Sequence, residues 1–513
     1  MITRSMISLS LISSLALSAC SRQPGAEEAA WQGDPAPDQF VTNGERYDGK
    51  EVGSIHRVTA EPVSAFAVDV DTAAYANVRR MLRAGQSVPP AAVRTEEMVN
   101  YFRYDYPLPA TRDAPFSVTT DVSTTPWNPE TRLLRIGLRG YDVASSQRPP
   151  ANLVFMVDVS GSMQDPDKLP LVKQALSILA DSLRSDDSVS IITYAGWVDT
   201  LVEGSHDPAE IKAALSGLDA EGSTAGGPAL ALAYELARAH RVPGGINRIV
   251  MATDGDFNVG LSDQKGLEDM VRQNREDGIS LTTLGFGQGN TNDAMMEAVA
   301  DLGNGNYAYI DSAMEARKVL DEELSSTLFT IAKDVKVQVE FNPAEIDQYR
   351  LIGYENRALR EEDFSEDHVD AGEIGAGHQV TAIYEVVPTG HRGWIAPRKY
   401  AAATQAPIRT AGELATVRVR YKLPNGSSSR LIETPVAARA LEQAKDPQGD
   451  MAFAVAVAAF GQKLRGDTRL GDYDYTAVAD LAGPQADYLR QEFVELVRLA
   501  GKSATRMAFG KEG

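Results

Sequence analysis

The chain has 513 residues, 43% of them hydrophobic, with 50 Lys and Arg against 71 Asp and Glu and a formal net charge of −21. That length exceeds what one hydrophobic core supports and predicts several domains. The acidic balance excludes nucleic acid as a partner, disfavours electrostatic docking on anionic lipid and fits cation binding, while the single cysteine, Cys20, excludes a disulfide framework.

Residues 1–19 read as a signal peptide. Arg4 is the only early charge, and the apolar, serine-rich stretch from Met6 to Ala19 is too short to span a bilayer. Leu17-Ser-Ala-Cys20 resembles the bacterial lipobox, which implies cleavage before Cys20 and acylation of its thiol and new amino group. Ser21 after that cysteine, in place of Asp, implies by the same resemblance sorting to the outer membrane. No later apolar run is long enough to span a bilayer, so the expectation is a lipoprotein held in the bacterial cell envelope by lipid alone. Residues 20–60, rich in Pro, Gly, Glu, Asp, Gln and Ala, read as a flexible tether.

Residues 61–149 mix helix and strand. Ser64-Ala-Phe-Ala-Val-Asp69-Val-Asp71-Thr72-Ala73 leads an apolar run into Asp-x-Asp-Thr. This resembles the nucleophile motif of haloacid-dehalogenase-type phosphatases, but Ala73 stands where that motif needs Thr or Val, and no partner lysine and paired aspartates follow at suitable spacing. Asp69 and Asp71 read instead as turn and N-cap residues for a helix from Ala73 to Ala84, with Tyr75, Val78 and Leu82 on one face. A second helix is expected over Ala91 to Phe102. Tyr101, Phe102, Tyr104 and Tyr106 form an aromatic cluster suited to packing on a neighbouring domain. Two strands follow from Phe116 and Arg132, joined by the turn-rich Pro126-Trp-Asn-Pro129 and lacking any continuation nearby.

Residues 150–332 alternate strand and helix. Strands are expected at 152–159, 188–195, 247–253, 279–285 and 306–310, with helices at 169–183, 208–218, 227–239, 263–275, 293–302 and 313–329. Every crossover reads as helical, which predicts an α/β fold with a doubly wound, mostly parallel sheet. Residues 333–440 turn to period-two alternation from Val335, Tyr349, Gln379 and Leu414, predicting an antiparallel β domain that Phe116 to Val143 would complete. The α/β domain would then be inserted in, or flanked by, that β domain. Glu361 to Asp367 reads as a solvated acidic loop. Residues 441–513 are helical again, and the alanine-rich Met451 to Leu464 should be buried.

The chemistry concentrates at the tip of the first α/β strand, in Asp158-x-Ser160-x-Ser162. In an open α/β sheet ligands bind at the carboxyl edge, so these oxygens read as part of a hard-cation site; the alternative is a polar turn with an N-capping serine. Three groups cannot fill the six-oxygen shell of magnesium. Glu221-Gly-Ser-Thr224-Ala-Gly-Gly227 precedes a helix and Thr253-Asp254-Gly255 closes a strand, so both loops reach the same edge. Asp254-Gly-Asp256-Phe-Asn258 also resembles the start of an EF-hand loop, but Val259 and Lys265 stand where that loop needs Gly and Glu. The six histidines form no zinc pair at helical spacing, and no Walker-type phosphate loop appears.

In this order and on these elements, Asp158, Ser160, Ser162, Thr224 and Asp254 are similar to the metal-ion-dependent adhesion site of von Willebrand factor type A (VWA) domains. The resemblance implies that Ser160, Ser162 and Thr224 touch the ion directly and that Asp158 and Asp254 act directly or through water. The cation expected is Mg2+, with Mn2+ or Ca2+ as alternatives. Neutral hydroxyls leave such an ion short of anionic ligands, so an Asp or Glu of a protein partner would complete the shell. The flanks, including Ala65 to Arg80, Arg94 to Phe102 and Phe453 to Gly461, resemble the YfbK-type exported proteins. Metal-dependent protein binding by an envelope lipoprotein is the function expected; a metal-assisted hydrolase or phosphatase and a metal-independent envelope scaffold are the alternatives.

Overall fold

The apolar run from Leu153 to Val157 is buried on both faces, as a central parallel strand requires, and forms the strand Ala151–Asp158. In this computed structural model residues 41–510 are described, apart from 43, 112, 224–225, 256–263, 290, 324–325, 327, 397–411 and 425. The α/β sheet runs in the order Tyr307–Ile310, Ser280–Phe286, Ile246–Thr253, Ala151–Asp158, Ser188–Tyr194, Val198–Ser205. Leu153, Phe155 and Val157 pack with Val172 and Leu176 of the helix Leu169–Asp181, whereas Val154 and Met156 pack with Leu230 and Ala233 of the helix Gly226–Ala239. Alternate side chains thus serve opposite layers. From Ala151–Asp158 the chain first builds outward to one side and then returns on the other, so the topological switch falls at Asp158.

One connection corrects the expectation that every crossover is helical. After Ser188–Tyr194 the chain doubles back through Ala195-Gly196-Trp197 into Val198–Ser205, an antiparallel edge strand. Asp199, Thr200, Leu201 and Glu203 are exposed there and Val202 is buried, so no apolar run announces the strand.

The segments on either side of this domain build one sandwich of two antiparallel sheets. One sheet contains Val63–Ala67, Thr330–Phe341, Glu413–Lys422 and Ser429–Ala437; the other contains Ile346–Ile352, Gln379–Pro388, Arg132–Gly140 and Phe116–Thr124. The missing continuation of the early strands is Gln379–Pro388, with Ile136 opposite Ala382. Leu134, Ile136 and Leu138 share a core with Val337, Val339, Val417 and Val419, so the α/β domain is an insertion in a β domain.

A helical layer closes the structure. In the helix Gly449–Leu464 every residue from Met451 to Gln462 is buried, and Phe102 meets Phe453 and Phe493 edge to face at 4.9 and 5.7 Å. The expected helix over 91–102 is shorter, Thr95–Asn100, preceded by a 3-10 turn at Pro90–Ala92. The tether also ends earlier than residue 60: Tyr47 is buried and accepts from Asn77 at 2.8 Å, and Glu45 pairs with Arg80 at 3.0 Å. Within the supposed acidic loop a short helix, Glu361–Ser365, buries Phe364 and offers the Asp363 carbonyl to Lys336 at 3.0 Å.

Buried ion pairs join these parts. Arg79 pairs with Asp311 at 2.5 Å, Glu315 at 2.7 Å and Glu492 at 3.0 Å, linking the N-terminal helix Ala73–Arg83, the α/β domain and the C-terminal helix. Nearby, Arg94 and Arg357 gather Asp69, Asp71, Glu97, Asp293, Glu297 and Asp301. Carboxylates outnumber guanidiniums there, and burial pushes Glu96 and Glu297 up to about 7. A carboxyl that holds its proton more tightly when folded contributes stability below its unfolded value of 4.5, and that stability is lost as pH rises through 7. The thermal denaturation midpoint should therefore fall between about pH 6 and pH 8, and Glu96→Gln should flatten the slope. A midpoint unchanged over that interval in both proteins would contradict the buried excess of carboxyls.

Candidate metal site

Asp158 is fully buried at the switch point. Its Oδ1 accepts from the Ser160 N–H at 2.9 Å and its Oδ2 from the Thr253 hydroxyl at 3.1 Å. Burial raises its carboxyl to about 6, the hydrogen bonds from Ser160 and Thr253 opposing the rise and Asp254 adding to it. With both oxygens engaged, Asp158 fixes the loop that follows. Ser160 is extended and the 3-10 turn Gly161–Gln164 then folds back, which leaves the Ser160 and Ser162 hydroxyls 3.0 Å apart. Ser160 is buried and Ser162 half-buried, so solvent reaches this hydroxyl pair from the Ser162 side.

Two backbone bonds bring the next loop alongside. Gly161 N–H donates to the Gly222 carbonyl at 3.0 Å, and Glu221 N–H donates to the Val159 carbonyl at 2.7 Å. Asp254 follows the adjacent strand Ile246–Thr253, is buried, and accepts from Lys168 Nζ at 2.9 Å. The structure thus brings Asp158, Ser160, Ser162 and Asp254 to the carboxyl ends of two neighbouring strands. Thr224 and Cys20 lie outside the described residues, as do Asp256, Asn258 and Val259.

Three groups at this site escaped the sequence reading. Lys168 stands just before the helix Leu169–Asp181, where a cation opposes the helix dipole, and that mismatch was the available signal. Thr253 orients Asp158 through its hydroxyl. Tyr194 is buried, and burial together with the Asp158 charge holds its phenol well above the usual range. The donor set is oxygen alone, from two carboxyls and two hydroxyls, which fits a hard divalent cation.

A second carboxylate group, Asp69, Glu97 and Glu297, lies within 4.8 Å in the junction network. Its members have structural duties. Asp69 accepts from the Asp71 N–H at 2.9 Å, and Asp71 accepts from the Tyr307 N–H at 2.8 Å. The expected N-cap role falls to neither: Thr72 is the N-cap and makes no side-chain cap bond, while Glu97 accepts from Ala74 N–H at 2.8 Å. Asp69 is only 3% exposed and already shares its oxygens with Asp71 and Arg357, an arrangement unsuited to nucleophilic attack.

Comparison with known proteins follows the same division. Residues 152–322 match the family von Willebrand factor type A domain, residues 326–502 match the family Uncharacterized protein YfbK, C-terminal, and residues 41–135 match a family described as von Willebrand factor. The chain is 44% identical over 469 residues to Uncharacterized protein YfbK of Escherichia coli (strain K12), covering 89% of this chain and 81% of that protein. It is 30% identical over 196 residues to Inter-alpha-trypsin inhibitor heavy chain H4 of Homo sapiens, covering 35% of this chain and 21% of that protein. The solved structure of von Willebrand factor type A from Catenulispora acidiphila is 16% identical, with 77% of this chain and 91% of that chain covered and a TM-score of 0.42.

The Lys168 contact yields a test. Without the Lys168 ammonium, the buried Asp254 carboxylate loses an opposite charge at 2.9 Å, at a cost of about 3 kcal/mol. Lys168→Met should melt lower than the wild type in EDTA and show the larger rise on adding Mg2+ in calorimetry. Equal rises would mean that Asp254 does not serve the cation.

Proposed function

The chain belongs to the YfbK family of VWA-domain proteins, and from that premise we propose that its type A domain captures a protein partner through a divalent cation. Homology of this domain supports a protein-interaction or scaffold role. Metal dependence rests on one observation: the Ser160 and Ser162 hydroxyls stand 3.0 Å apart, Ser160 buried and Ser162 half-buried, at the same strand ends as the buried carboxyls of Asp158 and Asp254.

Mg2+ is the cation assigned, with Mn2+ and Ca2+ as the other hard cations this oxygen set would take, and Thr224 is the fifth protein group assigned to it. The hydroxyls carry no charge, and Asp158 already accepts a hydrogen bond on each oxygen. An ion held in this way stays electron-poor, so an Asp or Glu of a partner supplies the missing anionic ligand. Recognition of that kind needs neither a base nor a nucleophile. Acylation at Cys20 would tether the protein in the bacterial envelope, a reading that rests on the lipobox alone.

Pull-down from solubilised membranes with the folded protein tests this reading. A partner recovered in Mg2+ should be lost in EDTA and reduced at least about tenfold by Ser162→Ala, a half-buried position whose truncation spares the core. Equal recovery in EDTA and with the variant would transfer recognition to the metal-independent scaffold.

A further inference from the structure

At the end of the α/β sheet opposite the metal site, the starts of Ile246–Thr253 and Ser280–Phe286 open on a cleft of about 230 Å³ facing the β domain. Its walls carry Arg241, Arg248, Arg275 and Lys333, and Glu373 is the lining carboxyl among the described residues. In a chain with a net charge of −21, the lining of this cleft carries four cations against one carboxyl among the described residues.

Arg248 is the decisive group. It is 2% exposed, its Nη1 donates to the Thr282 hydroxyl at 2.6 Å, and its Nε has no acceptor among the described residues. A buried guanidinium held by one neutral hydroxyl lacks the counter-charge that makes burial tolerable. Burial lowers its pKa to about 10. Glu373 lines the same cleft but makes neither a hydrogen bond nor an ion pair with Arg248; burial raises its carboxyl to about 8 against the opposing charges of Lys333 and Arg248, and its Oε1 also lacks a partner among the described residues.

The other cations differ in their commitments. Arg275 is engaged by Asp370 and by Asn304 at 3.2 Å. Arg241 is exposed, just past the helix Gly226–Ala239. Lys333 comes from the β domain, on the strand Thr330–Phe341.

We propose that this cleft binds a small oxyanion of the phosphoryl class, with Arg248 at its base and Arg241 and Lys333 supplying further charge. The Thr282 bond occupies Nη1 and leaves Nε, itself buried, without an acceptor among the described residues, the demand that an oxygen of an anion seated at the base of the cleft would meet. Arg241, Arg248 and Lys333 stand on three different elements, which suits a tetrahedral anion with several oxygens better than a planar carboxylate. Residues of both domains line the cleft, so the anion would bridge the insertion and its host. The cleft shares no lining residue with the candidate metal site.

Isothermal titration of the folded protein in EDTA, with inorganic phosphate and glycerol 3-phosphate as probes and with chloride and succinate at matched ionic strength as controls, tests the proposal. Vesicles of phosphatidylglycerol against phosphatidylcholine form the second arm. Saturable binding of either soluble probe, weakened at least about tenfold by Arg248→Gln and by Arg241→Ala, supports a free phosphate ester as ligand. Binding confined to phosphatidylglycerol vesicles, with the same dependence on these arginines, supports a lipid headgroup. Arg241 is exposed, so its variant remains informative even if Arg248→Gln does not fold. No saturable binding in either arm, succinate binding as tightly as phosphate, or affinity unchanged in Arg241→Ala would overturn it.

Discussion

A carboxylate removed from water must find a counter-charge or hold its proton, and Asp158 and Asp254 place two of them at the carboxyl ends of adjacent strands. The surrounding structure answers that demand in parts. Thr253 and the Ser160 backbone occupy the oxygens of Asp158, while Lys168 reaches Asp254. Those same contacts fix the turn that pairs the Ser160 and Ser162 hydroxyls. A divalent cation bound here, as proposed, would add charge and would lack a full anionic shell from this protein. On the proposed reading a partner's carboxylate would complete it.

The fold presents this edge by insertion. The α/β domain leaves and re-enters a sandwich whose two sheets contain strands from before and after it, so both of its chain ends are held by hydrogen-bonded neighbours. Buried arginines fasten the assembly from inside. Arg350, 1% exposed, joins Glu385 of the β domain to Asp467 in the helical layer, each at 2.7 Å, as Arg79 joins the α/β domain to the outer helices. Such pairs fix orientation more than they add stability, because their desolvation offsets much of their attraction. The two ends of the α/β sheet consequently differ: one holds acids and hydroxyls, and the other faces the β domain with cations.

The features written locally were the ones legible in the sequence. Continuous apolar runs such as Leu153 to Val157 announce central strands, and the Asp158, Ser160, Ser162 spacing announces the loop, because both depend on neighbouring residues alone. The α/β fold and its β host were readable for the same reason. The edge strand Val198–Ser205 was not, since its exposed face breaks the pattern. Tyr47 looked like part of a tether because its partner Asn77 lies 30 residues on, in the helix Ala73–Arg83. Lys168 acquires its meaning only from the distant Asp254, and Arg248 only from a cleft that Arg241 and Lys333 line from other elements, and charge placement across a fold has no local signature. A charged residue inside an otherwise apolar parallel strand, as in Asn247-Arg248-Ile249-Val250, is the clue such sites leave.

The central claim, an oxygen-only and incomplete coordination shell completed by a carboxylate, is most directly tested by electron paramagnetic resonance of Mn2+ bound to the folded protein in 17O-enriched water. One Mn2+ per chain should bind with several exchangeable waters and no nitrogen coupling, and an acidic peptide should displace one of those waters. Nitrogen coupling, or a water count unchanged by the peptide, would contradict it.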